Sequence, residues 1–513
     1  MATQIDTILF LIPEILVVVL ALWVIVGGAF APAKPFWAAL STIALVVALV
    51  LLSGQKLVAG DNGPLIVDSL GSSFRWIALL CGIALTLTST GSGNTHSYPE
   101  RLGAILFLLV GVMLVASAGN LIMLFLGLEL ISIPTYMLLY AGRADKASAE
   151  ASTKYFFLSI LSSAFMLYGF SMLYGMTGSV TFSEMHRSLA TDPSPTIAGL
   201  SLLPLALLMI LAGLAFKLAA FPFHFYAPDV YQGTSSLAAG VLAVTPKLAA
   251  VVAASRLIAV IMPSQQGPFL WQILVVASVA SMTLGNVAAL WQKSARRLLA
   301  YSSIAHSGYL LIGLAAAVAA PQGSGNAGIS AAVLYIMVYA AASLGAFAVL
   351  AAVLGDNDEM DDVRLLAGLG NRAPGQAFAM AVFMFSMSGI PPLAGFWGKF
   401  SLFKSALDVA FEGTNQIWFV TLVIIAALNA AIAAGYYLRV IAMMYFQDSS
   451  SEAKTTVHMG PAVAAYLCML ATLVCAFPAP LMQQADQAAA GLVAAADDAG
   501  STAKLVQVAA SRR

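Results

Sequence analysis

The chain has 513 residues, of which 61% are hydrophobic and only 9% charged, and its 23 basic and 23 acidic residues cancel. A water-facing domain carries roughly 25% charged residues, so most of this chain has no aqueous surface, and its balanced charge offers nucleic acid no basic face. Apolar runs long enough to cross a bilayer recur throughout. Lipid gives backbone groups no partners, and the runs lack the two-residue alternation of a barrel strand, so the expected class is an all-α membrane protein.

In chain order, about fourteen membrane segments are expected, near residues 9–31, 36–53, 70–88, 102–118, 120–141, 153–176 and 198–221, then 238–261, 269–291, 297–319, 328–354, 375–407 (interrupted), 416–443 and 461–482. The first contains Glu14 and has no basic flank or convincing cleavage site, so it reads as a retained span rather than a signal peptide. The longest connection, around 177–197, has no room for a soluble domain. After Ala485 an Ala-rich tail reads as a surface helix or as disordered chain.

Charge in the connections sets the expected orientation. Odd-numbered connections hold Lys34, Arg101, Arg143, Lys146, Lys293, Arg296, Arg297, Arg364, Arg372, Arg439 and Lys454, whereas even-numbered ones hold Lys56, Arg187 and Arg256. By the positive-inside rule the odd connections are cytoplasmic and both termini face outward. Cys81, Cys468 and Cys475 lie in apolar stretches without metal-ligand or Cys-x-x-Cys spacing, and read as inert thiols. The stretch Gly368–Ala373 fits a loose dinucleotide pattern, but it follows no strand and runs into Pro374, so nucleotide binding is not expected.

Glu129, Lys217, Lys247 and Lys399 fall well inside apolar segments. Each costs at least about 2.5–3.5 kcal/mol at mid-bilayer, which an idle residue does not justify. Each also lies close to proline: Pro134, Pro222, Pro246 and Pro391–Pro392 respectively. Proline removes the bond to the carbonyl four residues earlier, which should free the carbonyls of Leu130, Leu218, Leu242, Met387 and Ser388. Charge and free carbonyls together describe a hydrated path. Lysine suits proton transfer, because burial and a nearby carboxylate move its proton affinity in opposite directions. Glu129 is the expected partner of Lys217. His224 and His306 could extend the relay, although a structural hydrogen bond accounts for either equally well. Lys154, at the start of a segment, reads either as a relay member or as an anchor.

These residues lie in stretches that carry a resemblance: GLELISIPTYMLLY at Gly127–Tyr140, EASTKYFFLSILSSAFMLYG at Glu150–Gly169, FKLAAFPFHFYAPDVYQGT at Phe216–Thr234, TPKLA at Thr245–Ala249, ARRLLAYSSIAHSGY at Ala295–Tyr309 and FSMSGIPPLAGFWGKF at Phe385–Phe400. In these, and over residues 100–445, the chain resembles the antiporter-like membrane subunits of proton-pumping NADH–quinone oxidoreductase (respiratory complex I), N type.

The resemblance implies two inverted five-helix repeats with broken helices at segments 7 and 12, where Pro222 and Pro391–Pro392 stand. It implies an N-terminal three-helix part (1–101), a first repeat (102–261), a second repeat (269–443), a final helix (444–485) and a tail (486–513). Glu129 and Lys217 match the family's glutamate–lysine pair, Lys247 its central lysine, Lys399 its terminal relay residue, and His224 and Lys154 polar positions that feed the relay. The implied function is proton translocation coupled to NADH oxidation and quinone reduction elsewhere. Flavin, iron–sulfur clusters and quinone would belong to other subunits, with no cofactor on this chain. The implied partners are neighbouring antiporter-like and other membrane subunits, together with lipid, in a bacterial inner membrane. The alternatives are a subunit of a sodium/proton antiporter complex and a structural scaffold.

Overall fold

The computed structural model describes residues 7–31, 33–55, 61–62, 64–91, 97–142, 145–193, 195–196, 201–264, 267–320, 326–355, 361–412, 416–448 and 457–492. Lys56, Arg143 and Lys454 from the charge count, and the tail after residue 492, lie outside them.

Among the described residues, eleven helices are long and apolar enough to cross a membrane, or twelve with one bent pair. They are Ile12–Phe30, Lys34–Ser53, Ser69–Ser89, Tyr98–Ala116, Leu121–Ala141, Lys146–Thr177, Ser236–Ile261, Phe269–Leu290, Ala295–Ala319, Asn326–Leu354 and Gln416–Phe446. The expected count of fourteen is not reached by continuous helices, because three segments are interrupted. Segment 7 is split into Leu203–Leu218 and Ala227–Gly233, and segment 12 into Pro374–Ser388 and Ala394–Glu412. Segment 14 ends at Val474 and turns by 86° into Pro478–Leu492, where a continuous span to residue 482 was expected. That last helix is pinned sideways: Ser330 Oγ donates to Asp486 Oδ1 (2.5 Å) and Ser69 Oγ to the Gln487 carbonyl (2.7 Å).

The interruptions follow the sequence chemistry. Phe221–Pro222 and Pro391–Pro392 are cis peptides, and each break opens on a residue in the left-handed region, Ala219 (φ 54°) and Gly389 (φ 87°). Pro134 and Pro246, in contrast, sit inside continuous helices.

Every residue of the segment 8 helix, Ser236–Ile261, is buried, and segments 3, 4, 5, 7, 10 and 11 pack around it. Segments 1, 2 and 13 instead expose apolar faces that include Val26, Val50 and Leu428, as lipid contact requires. Between helices, glycine permits close backbone approach. A Cβ on Gly127 would stand 3.2 Å from the Gly111 carbonyl oxygen, and one on Gly285 would stand 2.8 Å from that of Tyr301. Segments 4 and 5, and segments 9 and 10, are therefore packed by the same device. The only sheet among the described residues is a two-residue hairpin, Asp61–Asn62 with Leu65–Ile66.

Two buried ion pairs fix the amino-terminal segments. Glu14, inside the first segment, is 3% exposed and accepts two bonds from the Arg75 guanidinium (2.6 and 2.8 Å). Asp68 caps segment 3 and accepts two more from Arg256 (2.9 and 3.0 Å). Arg256 was counted with the connections; it lies buried inside the segment 8 helix and also bonds the Ala116 carbonyl at the end of segment 4. Bidentate geometry and the additional acceptors offset the desolvation of such pairs.

Candidate functional site: a chain of buried lysines

The helix of segment 5 carries Glu129 and, one turn on, Ser132; segment 6 carries Ser159 and Ser163, also one turn apart. Residues three and four apart share a helix face, so the two faces form a hydroxyl-lined box. Ser163 Oγ donates to Glu129 Oε1 at 2.5 Å. Lys217 Nζ, from the last turn of Leu203–Leu218, donates to Ser132 Oγ at 2.6 Å and lies 3.4 Å from Ser159 Oγ. The expected Glu129–Lys217 pair makes no direct ion pair among the described residues; each member is bonded instead to serines of the box.

The break that follows Lys217 is held by side chains. Pro222 leaves the Leu218 carbonyl without a helical donor, and Ser307 Oγ donates to it. Tyr226 Oη donates to the Phe216 carbonyl (2.9 Å), and the Phe221 N–H donates to Ser281 Oγ (2.9 Å). Ser307 is also a partner of Lys247, whose Nζ donates to Ser307 Oγ (2.6 Å) and to the Ser303 carbonyl. Lys247 is therefore linked through one hydroxyl to the backbone carbonyl next to Lys217, while the Lys217 ammonium itself bonds the serine box.

Beyond Lys247 the chain turns aromatic. The ammonium lies 5.5 Å from the centre of the Tyr339 ring, and Tyr339 Oη donates to Ser303 Oγ (2.8 Å). His306, on the segment 10 helix with Ser303 and Ser307, bonds Tyr335 Oη through Nδ1 (2.6 Å) and Tyr437 Oη through Nε2 (3.0 Å). A cavity of about 10 Å³, room for roughly one water, is lined by His306, Tyr335, Tyr339, Met387 and Lys399. At its far side Lys399 Nζ donates to the carbonyls of Met387 (3.0 Å) and Ser388 (2.8 Å), two of those that proline was expected to free.

Lys217, Lys247 and Lys399 are 2%, 0% and 4% exposed. Among the described residues, none has a carboxylate within ion-pair distance; every polar partner is a hydroxyl or a carbonyl. Two expected relay members stand apart from this chain. Lys154 is 43% exposed and pairs with Glu150 (2.7 Å) and Asp229 (3.3 Å), the latter shared with Arg297 (2.7 Å). His224 lies half-buried on the turn after Pro222 with its ring near Phe221 (5.8 Å), and its imidazole makes no bond to a relay lysine. Sequence reasoning missed Ser132, Ser159, Ser163, Ser303, Ser307, Tyr335, Tyr339 and Tyr437. The i, i+4 spacing of Ser159/Ser163 and of Ser303/Ser307 was a legible signal.

Residues 118–429 match the family model described as NADH:quinone oxidoreductase/Mrp antiporter, TM. A relative from Granulibacter bethesdensis, NADH-quinone oxidoreductase subunit N, is 37% identical over 88% of this chain and 91% of its own length. Another of the same designation, from Methylobacterium nodulans, is 36% identical over 94% and 97%. Among solved structures, a chain of respiratory complex I from Thermus thermophilus with bound aureothin superposes with a TM-score of 0.74 at 30% identity, covering 92% of this chain and 99% of that one. A chain of the Mrp complex from Dietzia, 20% identical with a TM-score of 0.77 over 94% and 97%, shares the fold. With Lys217, Lys247 and Lys399 on broken or proline-bearing helices of an architecture it shares with these proteins, the chain belongs to the NADH:quinone oxidoreductase/Mrp antiporter membrane family, in the group of its subunit N members.

Proposed function

We propose that this chain translocates protons as a membrane subunit of an NADH–quinone oxidoreductase, with redox chemistry on other subunits that carry the flavin, iron–sulfur clusters and quinone. The observation that carries this reading is the set of buried lysines whose polar partners are neutral. An ammonium used only as a staple would be matched by a carboxylate, because leaving a buried charge uncompensated costs several kcal/mol. A lysine that alternates between ammonium and amine is instead served by hydroxyls, which both donate and accept. In the path we propose, Glu129 and Lys217 exchange charge through the serine box, Lys247 receives the proton across Ser307, and His306 with the small cavity leads to Lys399. Lys154 and His224 would act at the mouths rather than within the buried run.

The same reading takes residues 102–261 and 269–443 as inverted repeats, supported by matching glycine packing and by the breaks in segments 7 and 12. It sets the odd connections on the cytoplasmic side of a bacterial inner membrane and both termini outside. The family description also covers Mrp antiporters, so a sodium/proton exchanger is the second reading; sodium-dependent proton movement in vesicles would favour it.

The test compares Lys247→Arg with Lys247→Ala in the assembled complex. Arginine keeps the charge but does not release its proton. Both variants should assemble, yet take up fewer protons into inverted vesicles per NADH oxidised, or slow turnover together. Full pumping by the arginine variant would refute the relay role.

A further inference from the structure

The hydroxyl of Ser307 has one proton and two acceptors within reach, the Leu218 carbonyl on segment 7 and the Ser303 carbonyl one turn back on its own helix (3.0 Å). It also accepts a bond from Lys247 Nζ at 2.6 Å. The contact to Leu218 is the shorter of the two, and Ser303 O also serves Lys247 and the backbone of its own helix, so while Lys247 is an ammonium the Ser307 proton is directed to Leu218. That carbonyl has lost its helical donor to Pro222 and precedes the strained Ala219 (φ 54°). It lies one residue from Lys217.

We infer that Ser307 is a positioning residue that ties the end of the broken helix bearing Lys217 to the charge state of Lys247. When Lys247 gives up its proton, the amine acquires a lone pair beside Ser307 Oγ. An amine is a better acceptor than an amide carbonyl, so the hydroxyl turns to it and the Leu218 carbonyl loses its donor. No covalent bond changes; one hydroxyl proton rotates between two acceptors. The helix end carrying Lys217 is held while Lys247 is charged and released while it is neutral, which orders the two transfers: Lys217 is freed to reload only after Lys247 has discharged. The inference rests on the relay reading of Lys247.

The titratable groups near Lys247 from packed elements are His306 on segment 10 and Tyr339 on segment 11, whose ring it faces, while Tyr231 on the second half of segment 7 lies 3.5 Å from Ser303 Oγ and Lys217 lies one residue before the Leu218 carbonyl. Only the switch through Ser307 involves the Leu218 carbonyl directly. The test is amide hydrogen exchange, by mass spectrometry, of peptides covering residues 212–226 in the assembled complex in nanodiscs. It is run at several pH values and corrected for the intrinsic rate with reference peptides. In the wild type, protection after Leu218 should fall roughly five- to tenfold as Lys247 discharges, the equivalent of one net hydrogen bond. Ser307→Ala should show the low protection at every pH. Ser307→Thr, which keeps the hydroxyl, should behave as wild type, and Lys247→Arg should keep the high protection throughout.

A pH-dependent fall that survives in Ser307→Ala would overturn the inference, as would one that survives in Lys247→Arg. So would protection that is independent of pH in both the wild type and the threonine variant. If the arginine variant does not assemble, the alanine–threonine contrast alone decides. The relay reading fails separately, by full proton uptake in Lys247→Arg, whichever way the exchange comes out.

Discussion

Replacing Lys399 separates its two jobs, proton carrier and partner of the segment 12 break. Its Nζ bonds the Met387 and Ser388 carbonyls at 3.0 and 2.8 Å, and the residue is 4% exposed. An ammonium has three donors and an amine two, so loss of the third proton leaves both carbonyls served. Lys399→Met removes both partners. A buried polar group without a partner costs about 1–3 kcal/mol, giving about 2–6 kcal/mol for the pair, less what is regained by no longer burying an amine. Against a typical stability of about 5–15 kcal/mol, that loss should appear as a lower yield of assembled complex and faster thermal inactivation. Lys399→Arg keeps donors at the break. The adjoining cavity of about 10 Å³ and the Lys399 Cδ only 2.9 Å from a Cβ position on Gly389 leave little room, so overpacking should cost about 1–3 kcal/mol. The arginine variant should assemble and yet pump fewer protons per NADH oxidised in inverted vesicles. Wild-type thermal stability of the methionine variant would refute the carbonyl accounting, and wild-type pumping by the arginine variant would refute proton transfer at Lys399.

Glu14→Leu should destabilise the complex by about 3–5 kcal/mol, because it strands the buried Arg75 charge, while the double variant Glu14→Leu/Arg75→Leu should recover much of the loss; denaturant or thermal inactivation curves read both, and equal loss in single and double variants would contradict the pairing argument. Gly395→Ala places a Cβ 1.7 Å from the Ser386 carbonyl oxygen across the segment 12 break, so it should sharply reduce assembled complex, and an undiminished yield would mean that the break rearranges freely. Lys154→Ala loses only exposed pairs at 2.7 and 3.3 Å, worth under about 1 kcal/mol, and should leave the proton-to-electron ratio near wild type; a loss as deep as in Lys247→Ala would put Lys154 on the main path.

What the sequence determined by itself was everything that depends on near neighbours in the chain and on lipid as solvent. Apolar runs of span length must be helices in lipid, and the structure has them. Proline acts on the carbonyl four residues earlier, and three of the five carbonyls it was expected to free, those of Leu218, Met387 and Ser388, accept side-chain hydrogen bonds in the structure. The breaks near Pro222 and Pro391–Pro392 were legible for the same local reason, and Pro134 and Pro246 show its limit, since their helices continue where neighbouring helices enclose them. Tertiary packing decided who meets whom. Glu129 and Lys217 looked like a pair because opposite charges attract, but the faces of segments 5 and 6 give each of them serine partners instead. Lys154, two turns into Lys146–Thr177, pairs at the surface with Glu150 and Asp229, and Glu14 was drawn inward by Arg75, sixty-one residues away. The turn at the end of segment 14 depends on Ser69 and Ser330, which lie far from it in sequence. A side chain's local spacing fixes the face it occupies, but the partner on that face is fixed only once the helices cross.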